Sequence, residues 1–129
     1  MVGDKISQLI IKIKNASRVS KDDVLVENTK LNLGILEALK ERNFIESFDI
    51  DKKTNKVNVV LKYDDEGNSA ITDVKRISKL SKRVYKSAKE ITSVKNGYGM
   101  AVFTTPLGVM SDKQAREKNV GGEVMFEIW

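Results

Sequence analysis

The spacing of apolar side chains switches from a helical to a strand period within the first half of this chain, which points to helices packed on a sheet. Ile6, Leu9, Ile10 and Ile13 recur at i, i+3, i+4 and i+7. That spacing predicts a helix from about Asp4 to Ala16, with Asp4 as its N-cap. Val24 to Val26 form a short apolar run. Thr29 can then cap a second helix over Lys30 to Arg42, buried through Leu31, Ile35, Ala38 and Leu39 and stopped at Asn43. From Phe44 to Asp51 and from Lys56 to Tyr63 the period falls to two, most cleanly through Val57, Val59, Leu61 and Tyr63. Lys52 to Asn55 supply the hairpin turn. The first half therefore reads helix, strand, helix, strand, strand.

Asp64 to Ser69 contain no large apolar residue. That segment is the expected linker between a lobe of residues 1–63 and a lobe of residues 70–129. The stretch that follows is ambiguous: Ile71, Val74, Ile77 and Leu80 fit a helix at spacing three, while the β-branched content fits strands equally well. Beyond Asn96, five of the eight Gly residues and the single Pro punctuate short elements. Met100 to Thr104 reads as a strand and Thr105-Pro106-Leu107-Gly108 as a turn. Ser111 with Gln114 forms a capping box for a helix ending near Lys118. Val124, Phe126 and Ile128 alternate in a terminal strand whose packing would include Trp129.

Charge is segregated along the chain. Residues 1–69 balance twelve cations against twelve anions, whereas residues 70–95 hold eight cations against Asp73 and Glu90, more than the whole chain's net +5. A polyanion is the natural partner of such a run, and Tyr85 and Tyr98 set planar groups beside it that can stack or hydrogen-bond. Catalysis is disfavoured because there is no His and no Cys, which removes the commonest general base, the thiol nucleophile and the usual transition-metal ligands. No enzyme activity, cofactor or metal site is expected. The acidic pairs Asp22-Asp23 and Asp64-Asp65 fall in predicted loops, where solvated carboxylates are ordinary. Gly97-Tyr98-Gly99 begins like a dinucleotide fingerprint, but Val102 stands where its third Gly belongs. With no apolar run of membrane-spanning length and no secretory pattern after Met1, the expectation is a cytoplasmic protein with no membrane partner. A carboxylate- or Lys-based enzyme and a DNA-binding or protein-interaction module are the rival readings. Turnover in the absence of RNA would reveal the first, and a side-by-side comparison of RNA with duplex DNA would discriminate the second.

Gly108-Val109-Met110-Ser111-Asp112, Ala115-Arg116 and Gly121-Gly122-Glu123-Val124 closely resemble, in residues and spacing, the C-terminal signature of bacterial small-subunit ribosomal protein eight. Asp4-Lys5-Ile6, Ile13-Lys14-Asn15-Ala16, Lys30-Leu31, Phe44-Ile45 and Arg83-Val84-Tyr85-Lys86 extend the resemblance over the whole chain. It implies an α+β fold of two small lobes, the first as read above and the second an antiparallel sheet with one short helix, the ambiguous stretch being strand. It further implies a non-catalytic ribosomal constituent that binds the central domain of small-subunit (16S) rRNA and helps it assemble. Contact with neighbouring small-subunit proteins, protein five among them, is implied as well, as is repression of translation from its own mRNA in some members. Under that resemblance Thr104, Thr105 and the Gly108 backbone enter an RNA groove, Glu123 accepts hydrogen bonds that position the loop or a base edge, and Tyr85 packs nearby. Lys14, Asn15, Lys30, Arg83 and Lys86 complete the RNA-binding set, the cations holding phosphates. The chain departs from the family's usual Ser-Thr-Ser-Lys-Gly loop by carrying Pro106 and Leu107, and from its Pro-Gly turn by carrying Leu80-Ser81.

Overall fold

The structure, a computed structural model, describes residues 2–79 and 81–129, the first three of these by backbone only. Two compact units divide the chain, one ending at Thr72 and the other beginning at Asp73.

In the first unit, α1 (Val2–Arg18) buries Ile6, Leu9, Ile10 and Ile13, the stripe that its spacing predicts. The helix begins ahead of Asp4, so the cap expected there is not at its start. β1 (Asp23–Glu27) leads to α2 (Lys30–Glu41), where the Thr29 hydroxyl accepts a hydrogen bond from the Asn32 backbone N–H at 3.1 Å. That bond satisfies one of the orphan donors of the first turn. Asn43, at φ 64°, takes the left-handed conformation that ends the helix, as its short amide side chain permits. β2 (Ile45–Asp51) and β3 (Lys56–Leu61) follow, and the sheet order is β1-β3-β2, antiparallel throughout. On β3, Val57, Val59 and Leu61 are buried while Lys56, Asn58 and Val60 are half-exposed. The helices pack against the edge strands, α1 on β1 and α2 on β2.

Residues 64–69 form a closed turn of this unit rather than a spacer. Asp64 Oδ1 accepts from the backbone N–H groups of Glu66 (2.9 Å) and Asn68 (2.8 Å), and Tyr63 bridges Ser69. A polar segment serves a linker and an Asx-type turn equally well, so its composition does not distinguish the two.

The second unit is built on its last strand. β8 (Gly122–Ile128) pairs on one side with β6 (Met100–Thr105), which pairs in turn with β7 (Gly108–Ser111); on its other side lie β4 (Val74–Arg76) and β5 (Tyr85–Lys86). α3 (Asp112–Glu117) starts from the predicted capping box: Ser111 accepts from the Gln114 N–H at 3.2 Å, and the Gln114 side chain accepts from the Ser111 N–H at 3.1 Å. Its Ala115 enters a core with Phe103, Met110, Val124 and Ile91, flanked by Ile77 and Val84.

Within residues 70–95 the strand implied by the resemblance is confined to β4 and β5. Ala88–Glu90 form a 3₁₀ turn, and Lys79 pairs back on Lys82. Leu80, the last of the spacing-three residues, lies outside the described residues. A helix here would stack Lys75, Lys79, Arg83 and Lys82, Lys86 at i, i+4, where like charges repel. Extended chain beside β8 separates them and still delivers Ile77 and Val84 to the core. β7 was not anticipated either, since four residues between a turn and a helix cap carry too little periodicity to read.

A candidate nucleic-acid interface on the second unit

Directly paired residues of antiparallel strands point to the same side of a sheet. The registers Tyr85↔Glu123 and Thr104↔Glu123 therefore align Tyr85, Glu123 and Thr104 in one row across β5, β8 and β6. Their neighbours in sequence, Phe103 and Val124, turn the other way into the core. A register shift between Val102 and Phe103, opposite Met125, lets this alternation run on while Val102 and Phe126 are fully buried. At this end of the sheet the row is open: Tyr85 is 67% exposed, and Thr104 is exposed.

Glu123 is the centre of the row. Its Oε2 accepts from the hydroxyl of Ser78, which is buried, and from Arg83 Nη1 at 2.9 Å; the Ser78 oxygen in turn accepts from the Val84 N–H at 3.3 Å. Burial pushes the Glu123 carboxyl up, but the Ser78 hydroxyl and the Arg83 guanidinium, helped by the charge of Arg76, outweigh it and hold the group below the ordinary carboxylate value. The same hydrogen bond raises Arg83. Glu123 thus sits ionised and anchors Arg83 at the edge of the open row. The expectation that Glu123 accepts hydrogen bonds here acquires specific partners, both within the protein.

Thr105 differs from Thr104 in role. It is buried; its hydroxyl donates to the Gly108 carbonyl at 2.8 Å and accepts from the Leu107 N–H at 3.1 Å, closing the β6–β7 turn. Gly108 lies at φ 118°, a conformation that side-chain-bearing residues rarely adopt, so the turn presents Pro106, Leu107 and bare Gly108 backbone to solvent. The Thr104 hydroxyl contacts Met125 Sδ at 2.9 Å, a weak acceptor. Gly122 allows β6 to pass closely, because a Cβ there would stand 2.2 Å from the Thr104 carbonyl oxygen.

Of the surplus cations in residues 70–95, Lys79, Lys82 and Lys89 are exposed, and Lys86, paired with Gly122 one step along β5 from the row, is half-exposed. Arg76 is tied down through Nε to the Ser78 carbonyl at 2.6 Å, and Lys95 lies over the Trp129 ring at 4.7 Å. The structure therefore brings together Arg83, Tyr85, Thr104 and Glu123, with Thr105 and Gly108 in the adjoining turn; Lys86 lies at the same end of the sheet but alternates to the side opposite Tyr85. Lys14, Asn15 and Lys30 belong to the first unit, the first two on α1 and the last opening α2, whose first turn carries no acidic residue. Ser78 is the member that sequence reasoning missed. It is 45 residues from Glu123 and has no motif around it.

A family profile described as Ribosomal protein S8 matches residues 4–129. Curated relatives bearing the name "Small ribosomal subunit protein uS8" match along nearly all of their length or all of it. That of Thermodesulfovibrio yellowstonii is 44% identical over all of both chains, and that of Wolinella succinogenes 42% over all of both. The Syntrophus aciditrophicus protein is 42% identical over 98% of this chain and 97% of its own. With its two α+β units, its capped α3 and its Gly121-Gly122-Glu123 strand start, this chain belongs to the ribosomal protein S8 family.

Proposed function

We propose that this chain is a non-catalytic constituent of the cytoplasmic small ribosomal subunit that binds the central domain of the small-subunit (16S) rRNA and helps that domain assemble. Its family membership supports the ribosomal role. The observation that carries the RNA-binding surface is the open row of Tyr85, Glu123 and Thr104, flanked by Arg83 and by the bare turn at Gly108. A shallow RNA groove, with 2′-hydroxyls and base edges on its floor, matches a flat surface bearing a hydroxyl, an aromatic ring and a fixed guanidinium. Thr104 and the Gly108 backbone touch the RNA. Thr105 shapes the turn, and Glu123 acts through Arg83 as a positioning residue.

The cations of residues 75–89 grip phosphates without reading sequence. Lys30 contributes similarly, because the positive end of α2 adds to its charge. Lys14 and Asn15 supply a further contact from α1. The same recognition face would accept an mRNA carrying a similarly shaped helix, including its own, which would repress its translation. Neighbouring small-subunit proteins, protein five among them, complete its surroundings.

Footprinting on small-subunit rRNA tests the assignment: protection should concentrate in one helical element of the central domain, and uniform or absent protection would refute it. If about six phosphates are neutralised, log affinity against log salt falls with a slope of roughly −4 to −5, at ~0.7–0.9 per contact.

A further inference from the structure

The three-stranded sheet of the first unit has one face beneath the helices and one face bare. In the register of β1, β3 and β2, Leu25 lies beside Asn58, which lies beside Asp49; Glu27 lies beside Lys56, which lies beside Asp51. All of these residues are exposed or half-exposed, whereas Val26, Val57 and Val59 on the opposite face are buried. The bare face carries four carboxylates, Asp23, Glu27, Asp49 and Asp51, against Lys56, which is held by Glu27 at 3.6 Å. At its middle Leu25 is 42% exposed and lines a shallow depression with Asp23, Asp49 and Asn58, and Lys52 stands at its rim; Ile50, paired with Val57, turns to the other face.

We infer that this face docks a Lys/Arg-rich segment of a neighbouring small-subunit protein. Two properties of the face select that occupant. The carboxylates repel phosphate, so RNA is disfavoured in a chain whose cationic surplus lies in residues 70–95. Exposed Leu25, set among these carboxylates, also gains by being covered with apolar surface, which the long methylene stems of Lys and Arg provide while their charged ends reach the surrounding carboxylates. At ~3.3 Å per residue the five residues of β1 span roughly 16 Å, enough for an extended segment of about five residues. Such a contact is smaller than a standard stable interface, so it works within an assembly that RNA already holds together. The inference rests on incorporation into the small subunit, but not on which surface holds the rRNA.

The test places the photo-crosslinker p-benzoylphenylalanine at the exposed position 25 and irradiates assembled small subunits that contain the full chain. A protein adduct whose cross-linked peptide is rich in Lys and Arg is the expected result. An adduct to rRNA, an adduct to an acidic or neutral peptide, or no adduct in subunits that have incorporated the chain would overturn the inference. A second arm adds D49K and D51K, both at exposed or half-exposed positions. Adduct yield should fall by about tenfold, as for reversed charges at an interface, while affinity for an isolated rRNA fragment stays unchanged. An unaltered yield overturns the electrostatic argument. Failure to incorporate or to bind the rRNA fragment at all counts against the proposed function instead.

Discussion

Replacing Glu123 tests whether the carboxylate organises the second unit as well as its open row. In E123A the buried Ser78 hydroxyl loses the acceptor it now has in Glu123 Oε2. A hydrogen bond to a charged group contributes ~1.5–3 kcal/mol, and a buried donor left unpaired costs a similar amount, so E123A should destabilise by about 2–3 kcal/mol. Nothing is added for Arg83, whose side chain is well exposed and screened by solvent. E123Q keeps an oxygen that can accept from Ser78 and should cost only about 1 kcal/mol. The sign of the pH dependence follows from the lowered folded-state pKa. The stabilisation is fully present above the unfolded value, ~4.3 for a glutamate, and is lost as pH falls through the folded value. The gap between wild type and E123Q should therefore be largest near neutrality and close in acid. Urea unfolding of wild type, E123A and E123Q at pH 7 and below pH 4 measures both quantities. An E123A penalty under about 0.5 kcal/mol, within the range of an ordinary surface change, would refute the reasoning. So would a gap that is as wide in acid as at neutrality.

G122A should destabilise by about 2–3 kcal/mol or more, because the added Cβ meets the Thr104 carbonyl oxygen rather than a yielding side-chain tip; chemical denaturation reports it. T105V preserves volume but removes the hydroxyl that closes the turn at Gly108, and it should weaken binding to the cognate rRNA helix far more than to a random duplex. Equal losses on both RNAs would remove the turn's role in recognition. K82Q and K86Q should each reduce the salt slope of rRNA binding by about one while weakening all RNAs alike; an unchanged slope would show that these cations miss the phosphates. T29A should cost about 1 kcal/mol through loss of the α2 cap, measured by thermal or urea unfolding.

Local chemistry sufficed for much of the molecule. The α1 stripe, the α2 stripe at Ile35, Ala38 and Leu39 though not at Leu31, which is half-exposed while Leu36 is buried, the Thr29 cap, the Lys52–Asn55 turn, the Ser111–Gln114 capping box and the terminal strand are each specified by residues within a few positions of one another, so a linear reading finds them. The family signature came through for a related reason: its glycines and capping residues answer to backbone geometry that few other residues tolerate. What tertiary structure alone decided lies where the partner is remote. Residues 64–69 close on themselves as a turn of the first unit, and residues 70–95 contribute strand only where β8 offers an edge, because β pairing depends on the neighbouring strand more than on intrinsic preference. The site divides in the same way. Charge segregation and the family resemblance marked Arg83, Tyr85, Thr104 and Glu123 from sequence, but the row of Tyr85, Glu123 and Thr104 exists only in the register of β5, β8 and β6. Ser78, a residue with no signal of its own, becomes the buried partner of Glu123 because two segments 45 residues apart run side by side. Periodicity and capping are short-range and written in order along the chain; register and burial arise when distant segments meet.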